Sequence, residues 1–174
     1  MNKKSNWILT VFILTFILSV VFSTISSSMA MSCNNIVLMI VLMIVIAIGI
    51  IFDIIGTACI TANESTFHAL SSKKKTGAKE ALMLIKNKNK LSSICNDIIG
   101  DVCGVISGSM GTFLAISIST LTGYNNTVVS VVLAAFISSA TVGGKAIFKV
   151  VAMANADSIV YNVGKFIHIF KIGK

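Results

Sequence analysis

Apolar residues fill four long stretches of this chain, roughly Trp7–Ser26, Ile36–Ile60, Leu91–Leu121 and Thr127–Val151. A helix needs about 20 apolar residues to cover the hydrocarbon thickness of a bilayer, and all four stretches reach that length. The second is almost unbroken Ile, Val, Leu and Met, whereas the third and fourth mix in Ser, Thr and Gly. No proline occurs in any of them, so the commonest helix breaker is missing. Residues 62–90 follow a different rhythm. The run "GAKEALMLIKNKNK" sets Ala78, Leu82 and Ile85 on one side and lysines on the others, the pattern of an amphipathic helix lying in the interface. "SSKKKTG" before it predicts a turn with snorkelling lysines. In the tail, residues 155–172, Ile159, Val163, Phe166, Ile167 and Phe170 recur at helical spacing and predict a second interfacial helix. The expected architecture is an all-α membrane protein. An N-terminal hydrophobic helix (residues 1–30) precedes a three-span helical bundle (residues 36–174, spans about 36–60, 91–121 and 127–151). The bundle carries an amphipathic helical belt (about 62–90) between its first two spans.

Composition agrees with the pattern: 55% of the 174 residues are hydrophobic and 11% charged, against about 25% charged in an ordinary soluble domain. The formal charge is +8, with 14 basic residues, all lysine, against six acids. Their placement decides what the excess means. Lys3 and Lys4 precede the first stretch, seven lysines from Lys73 to Lys90 lie between the second and third, and Lys145, Lys149, Lys165, Lys171 and Lys174 sit at or beyond the end of the fourth. The connections "SSMAMSCNN" and "TGYNN" carry no charge. This alternation predicts a multi-pass protein of the inner or plasma membrane, with both termini and the belt cytoplasmic. It also points the lysines at an anionic leaflet rather than at nucleic acid. The first stretch has a second expectation: "MNKK", an apolar core and "SSSMA" make up a secretory signal, and its cleavage would leave the remaining orientation unchanged. Cys33, Cys59, Cys95 and Cys103 have neither zinc-ligand nor redox spacing, and predict free thiols.

The segment "SSICNDIIGDVCGVISGSMG" stands out because it puts acids and glycines inside an apolar span. Gly100, Gly104 and Gly108 recur every four residues and would form a smooth stripe for close helix packing. Asp97 and Asp101 share one side of the same helix, with Ser93 and Asn96 nearby. A carboxylate at membrane depth costs on the order of 3 kcal/mol by insertion scales, so something must offset it. Asp53, in "IIFDIIGTA", poses the same problem. Carboxylate, amide and hydroxyl oxygens are the ligands that hard cations such as Mg²⁺ select, and the set Asp53, Asn96, Asp97 and Asp101 supplies the first two, with Ser93 for the third. The competing expectation is structural: acids at headgroup depth, or an Asp97 or Asp101 pair with Lys145. His68 and His168 have no catalytic partner nearby in sequence, and neither a nucleophile elbow nor a phosphate loop is present. No enzyme is predicted.

From Ile36 onward the order of parts resembles the transmembrane domain of the CorB/CorC and cyclin M (CNNM) magnesium transporters. The segment "FDIIGTACITANESTFHALSSKKKTGAKEALMLIKN" is similar to that family's F-S-G segment and the belt after it. "CNDIIGDVCGVISG" looks like the start of the next span, with Gly100-Asp101 in place of G-N and Cys95-Asn96 where hydroxyl residues stand. "GGKAIFKVVAMANADSIV" resembles the "GEI-PK--A---" signature, with Lys149, Ala152 and Ile159 in register. The family's glutamate falls on Lys145, its proline on Phe148 and the serine of F-S-G on Ile55. The resemblance implies a dehydrated Mg²⁺ site between spans, alternating access and a homodimer, here without CBS domains. It carries Asp101 and Asn96 over directly. Asp53 and Asp97 enter through their charge, as replacements for lost ligands. The function expected is therefore binding and transport of divalent cations, Mg²⁺ foremost, by a homodimer in the lipid bilayer. The alternative is a non-transporting scaffold or accessory subunit in which Lys145 pairs with aspartate as structural glue.

Overall fold

The computed structural model describes residues 3–172. Among them there is no strand. The helices are α1 (Lys3–Ser32), α2 (Asn35–Thr61), α3 (Glu64–Ser72), α4 (Ala78–Lys86), α5 (Lys88–Ser92), α6 (Gly100–Thr122), α7 (Asn126–Ala154) and α8 (Ala156–Ile172). A π-helical segment, Ser93–Ile99, joins α5 to α6. Four stretches are long and apolar enough to cross a membrane: Leu9–Ser28, Asn35–Thr61, Lys88–Thr122 and Asn126–Ala154. The predicted spans thus recur as helices, with longer ends. The first connection is shorter than expected, because α1 continues through "SSSMAMS" to Ser32. Ser27 and Ser28 hold their hydroxyls on the carbonyls of Ser23 and Thr24, four residues back, so neither competes for a turn.

Contacts divide the chain into two compact units, Met1–Gly49 with Ile98–Gly144, and Ile50–Asp97 with Lys145–Lys174. In the first unit α1 packs on α6, with Ser23 and Ser109 in hydroxyl contact at 3.3 Å. The first part of α2 meets α6 at Asn35, whose Oδ1 accepts from Ser117 at 2.7 Å, and at Gly49, where an added Cβ would come within 3.1 Å of the Cys103 Cβ. Helix α6 ends at Gly123, whose left-handed backbone (φ 72°) lets its N–H reach the Ser119 carbonyl at 2.9 Å. Asn125 then opens α7 by accepting the Thr127 N–H.

The second unit has its own core of Ala58, Cys59, Ala62, Phe67, Ala81, Ile85, Ala156 and Val160. Helix α4 packs on both α3 and α8. Small residues make this possible: a Cβ on Gly164 would lie 2.6 Å from the Gly77 carbonyl oxygen and 2.7 Å from the Ala81 Cβ. Gly77 also takes φ 79° to close the lysine turn, a conformation that costs a glycine little. The expected amphipathic helix is α4, which buries Ala78, Ala81 and Ile85 and exposes Lys79 and Lys86. Helix α8 turns a different face inward from the one its large apolar residues suggest. Ala156, Val160 and Gly164, at four-residue spacing, are buried, while Phe166, Ile167 and Phe170 are exposed.

Candidate functional site

The site is built on α2 and the π-helical segment. In α2, Asp53 and Thr57 are one turn apart and so share a face. Asp53 is half-buried and Thr57 is buried. The Thr57 hydroxyl has no hydrogen-bond partner, although Thr61, one turn on, donates to the Thr57 carbonyl at 3.0 Å in the usual way. Between Asp53 and Thr57 lies Gly56, and its lack of a side chain is required. A Cβ there would collide with the amide oxygen of Asn96, with the Cys95 Cβ 3.1 Å away.

Asn96 sits in the π-helical segment, where hydrogen bonds span five residues instead of the α-helix's four and so shift the side chains around the axis. Such segments recur at functional sites. Its Nδ2 donates to the buried Ser92 hydroxyl at 3.2 Å. Its Oδ1 is buried and has no partner. Two oxygens, Thr57 Oγ1 and Asn96 Oδ1, are therefore held out of water with their lone pairs unused. An unsatisfied buried polar group costs about 1–3 kcal/mol, and each of these oxygens would recover that cost on meeting a cation or a donor.

Asp97 and Asp101 are both exposed on their helices. Among the described residues no group of three or more His, Cys, Asp or Glu side chains is gathered to hold a metal ion. Lys145 is half-buried, and two histidines lie against glutamates: His168 Nδ1 is 3.1 Å from Glu80 Oε1 between α8 and α4, and His68 is 3.5 Å from Glu64 within α3. Gly100 is buried. Gly104 and Gly108 face open space: among the described residues, and apart from the backbone of α6 itself and the adjoining residues, no atom lies within 4 Å of an added Cβ. Close packing by glycine is found at Gly49 and Gly111 on that unit instead, the latter against Ile137. The four cysteines are free thiols.

Thr57, Gly56 and Ser92 were not singled out by sequence reasoning. The available signal was the Asp53–Thr57 spacing, one helical turn around a glycine, in a span otherwise made of Ile and Val. A second polar recess, of about 310 Å³, lies at Thr61, Asn63, Asn155, Asp157 and Ser158. Its chemistry is used by the backbone: Asp157 Oδ1 accepts the Asn63 N–H at 2.9 Å, and Asn63 Oδ1 caps α3 by accepting from Ser65. Compared with known proteins, the chain matches no family model, no curated protein and no solved structure.

Proposed function

We propose that this chain is a multi-pass membrane protein that binds a divalent cation, Mg²⁺ foremost, and carries it across the bilayer by alternating access as a homodimer. The observation that carries the reading is the pair of buried, unpartnered oxygens, Thr57 Oγ1 and Asn96 Oδ1, flanking Gly56. With the Asp53 carboxylate one turn before Thr57, they make a hard oxygen set of carboxylate, hydroxyl and amide, the ligand types that Mg²⁺ takes. One carboxylate with neutral oxygens suits an ion that must leave again. A site of three carboxylates would hold it longer. In this reading Asp97, next to Asn96, draws the ion towards the site from the exposed side. The resemblance to the CorB/CorC and cyclin M transporters supports the same ion and the same span. The lysine distribution supports a cytoplasmic belt and cytoplasmic termini. The open face at Gly104 and Gly108 is where a second copy would pack.

The test is the melting temperature of the full chain in detergent with and without Mg²⁺, alongside Mg²⁺ entry into vesicles that carry it. An ion bound only by the native state at a hundredfold excess over Kd adds about 2.7 kcal/mol, which reads as a rise of several degrees. Asn96→Ala and Asp53→Asn should melt near the parent without Mg²⁺ and lose the rise. If the parent neither gains stability from Mg²⁺ nor admits it faster than empty vesicles, the transport reading fails. If in addition Lys145→Met unfolds the protein, the scaffold reading replaces it.

A further inference from the structure

In the second unit a recess of about 370 Å³ lies where α4 gives way to α5, with Glu64 of α3 also in its wall. Its volume falls within the range of about 300–1,000 Å³ typical of ligand sites. Lys86, Lys88 and Lys90 all line it, and the buried Ile85 ties it to the core of the unit. A straight helix would not bring these lysines together. At about 100° per residue, Lys88 would stand on the opposite side from Lys86 and Lys90. The chain breaks at Asn87 instead. Its backbone leaves the helical region (φ −107°, ψ 19°). Its N–H reaches the Met83 and Leu84 carbonyls, and its Nδ2 donates to the Met83 carbonyl at 3.0 Å. Asn87 thus ends α4 with its own amide, and the turn it makes sets three lysines around one hollow. Among the described residues, neither Lys86 nor Lys88 is paired with a carboxylate. Glu64, the acid in the wall, lies 3.5 Å from His68 on its own helix. Like charges held close together repel, and a fold that collects them in this way leaves a place for an anion.

We infer that this recess binds a phosphate group carrying two charges, as in a phosphomonoester, held by Lys86, Lys88 and Lys90. Charge selects the class. Three lysines against one glutamate leave two positive charges over, and a phosphomonoester carries about −1.5 to −2 near pH 7. A phosphodiester or a carboxylate brings only a single charge. Lysine suits the task, because its ammonium is a compact point charge with three donors on a flexible stem and needs no fixed fork to meet a phosphate oxygen. The Asn89 amide, also in the wall, adds donors. Position in the chain bears on the source. Lys90 immediately precedes the third apolar stretch, which opens at Leu91, and Glu64 stands three residues beyond Thr61, the end of α2. The recess thus lies beside the ends of two candidate spans, where the headgroup of a phosphatidic acid and a dissolved phosphate share the same chemistry. It uses none of the oxygens of the cation reading, so either can fail without the other.

The test is acylation of the lysine amines of the full chain by an N-hydroxysuccinimide ester, followed residue by residue in peptide mass maps. In one arm the protein in detergent receives inorganic phosphate, with chloride at matched ionic strength as the control. In the other it sits in phosphatidylcholine vesicles that hold phosphatidic acid, compared with vesicles that hold phosphatidylglycerol at equal surface charge. Lys86, Lys88 and Lys90 should react several-fold more slowly than in the control in at least one arm. Lys73, Lys74 and Lys75, exposed in the turn between α3 and α4, report general screening and should keep their rates. Protection by phosphatidic acid assigns a lipid source, and protection by inorganic phosphate alone a dissolved one. Lys88→Gln should remove the protection of Lys86 and Lys90. Glu64→Gln, at an exposed position, should raise the apparent affinity about two- to fivefold, the worth of one exposed charge pair. Absence of protection in both arms overturns the proposal, as does equal slowing at Lys73, Lys74 and Lys75 or equal protection by phosphatidylglycerol. These outcomes are read on the parent protein, so a variant that fails to fold does not rescue the idea.

Discussion

In the first unit, most of the hydroxyls fold back onto their own helix: Thr15, Thr24, Ser27 and Ser28 on α1, and Ser107, Ser109 and Thr112 on α6. In the second, Thr61, Ser72, Asn87 and Asn155 do the same, and other polar side chains reach from one element to another. Asp157 of α8 holds the Asn63 amide ahead of α3, and His168 of α8 meets Glu80 of α4. The cores differ in the same sense. The second unit encloses Phe67, Ile85 and Val160 among alanines, while much of α1 and α7 is apolar and exposed, as at Phe12, Phe16, Val131 and Val132. The contrast lies in how much of its apolar surface each unit encloses. In lipid there is no water to satisfy a stray polar group and little to gain from hiding a phenylalanine, so a helix there gains by bonding its hydroxyls to its own carbonyls and can leave an apolar side outward. At the aqueous face the hydrophobic effect rewards enclosure, and caps and ion pairs can fix one helix to the next.

Several substitutions would break or sharpen this contrast. The largest effect is expected from a phenylalanine pair. Phe67→Ala, in the enclosed core, should cost about 3–5 kcal/mol in an unfolding melt in detergent, whereas Phe16→Ala, 64% exposed on α1, should stay within about 0.5 kcal/mol. Similar losses at both positions would mean that the first unit has an enclosed core after all. A glycine pair comes next. Gly164→Ala places a methyl against the Gly77 carbonyl oxygen and the Ala81 side chain, and should destabilise by about 1–3 kcal/mol through overpacking. Gly104→Ala enters open space and should stabilise the isolated chain by up to about 1 kcal/mol through helix propensity. Loss of chemical cross-linking between copies in Gly104→Ala, despite a higher melting point, would locate the contact of the proposed homodimer on that face. The smallest expected effect is that of a cap: Asn63→Ala should cost about 1 kcal/mol, visible as faster amide exchange in the first turn of α3.

Helix type and span were legible because both depend on local quantities. The unbroken apolar run of α2 and the alternation of α4 announce their environments residue by residue. The inward face of α8 was not legible. Its large residues, Phe166 and Phe170, suggested one face, but α4 approaches where Ala156, Val160 and Gly164 leave room, and small residues carry little weight in a hydrophobic pattern. The candidate site divides in the same way. Asn96 was visible as an amide inside a span, whereas Thr57 looked like any helical threonine. Its hydroxyl matters because it is buried and unpartnered, and that is a property of its surroundings. The partners of His68 and His168 illustrate both cases: Glu64 lies one turn away in sequence, while Glu80 is reached only because α8 crosses α4.

By itself the sequence determined that this protein is helical and that four of its segments can cross a bilayer. In lipid every backbone group must bond within its own segment, so length and apolar content are sufficient to decide. Tertiary structure alone decided which oxygens are left over. Gly56 against Asn96 brings together residues distant along the chain. Whether a polar atom is satisfied depends on the neighbours that packing supplies.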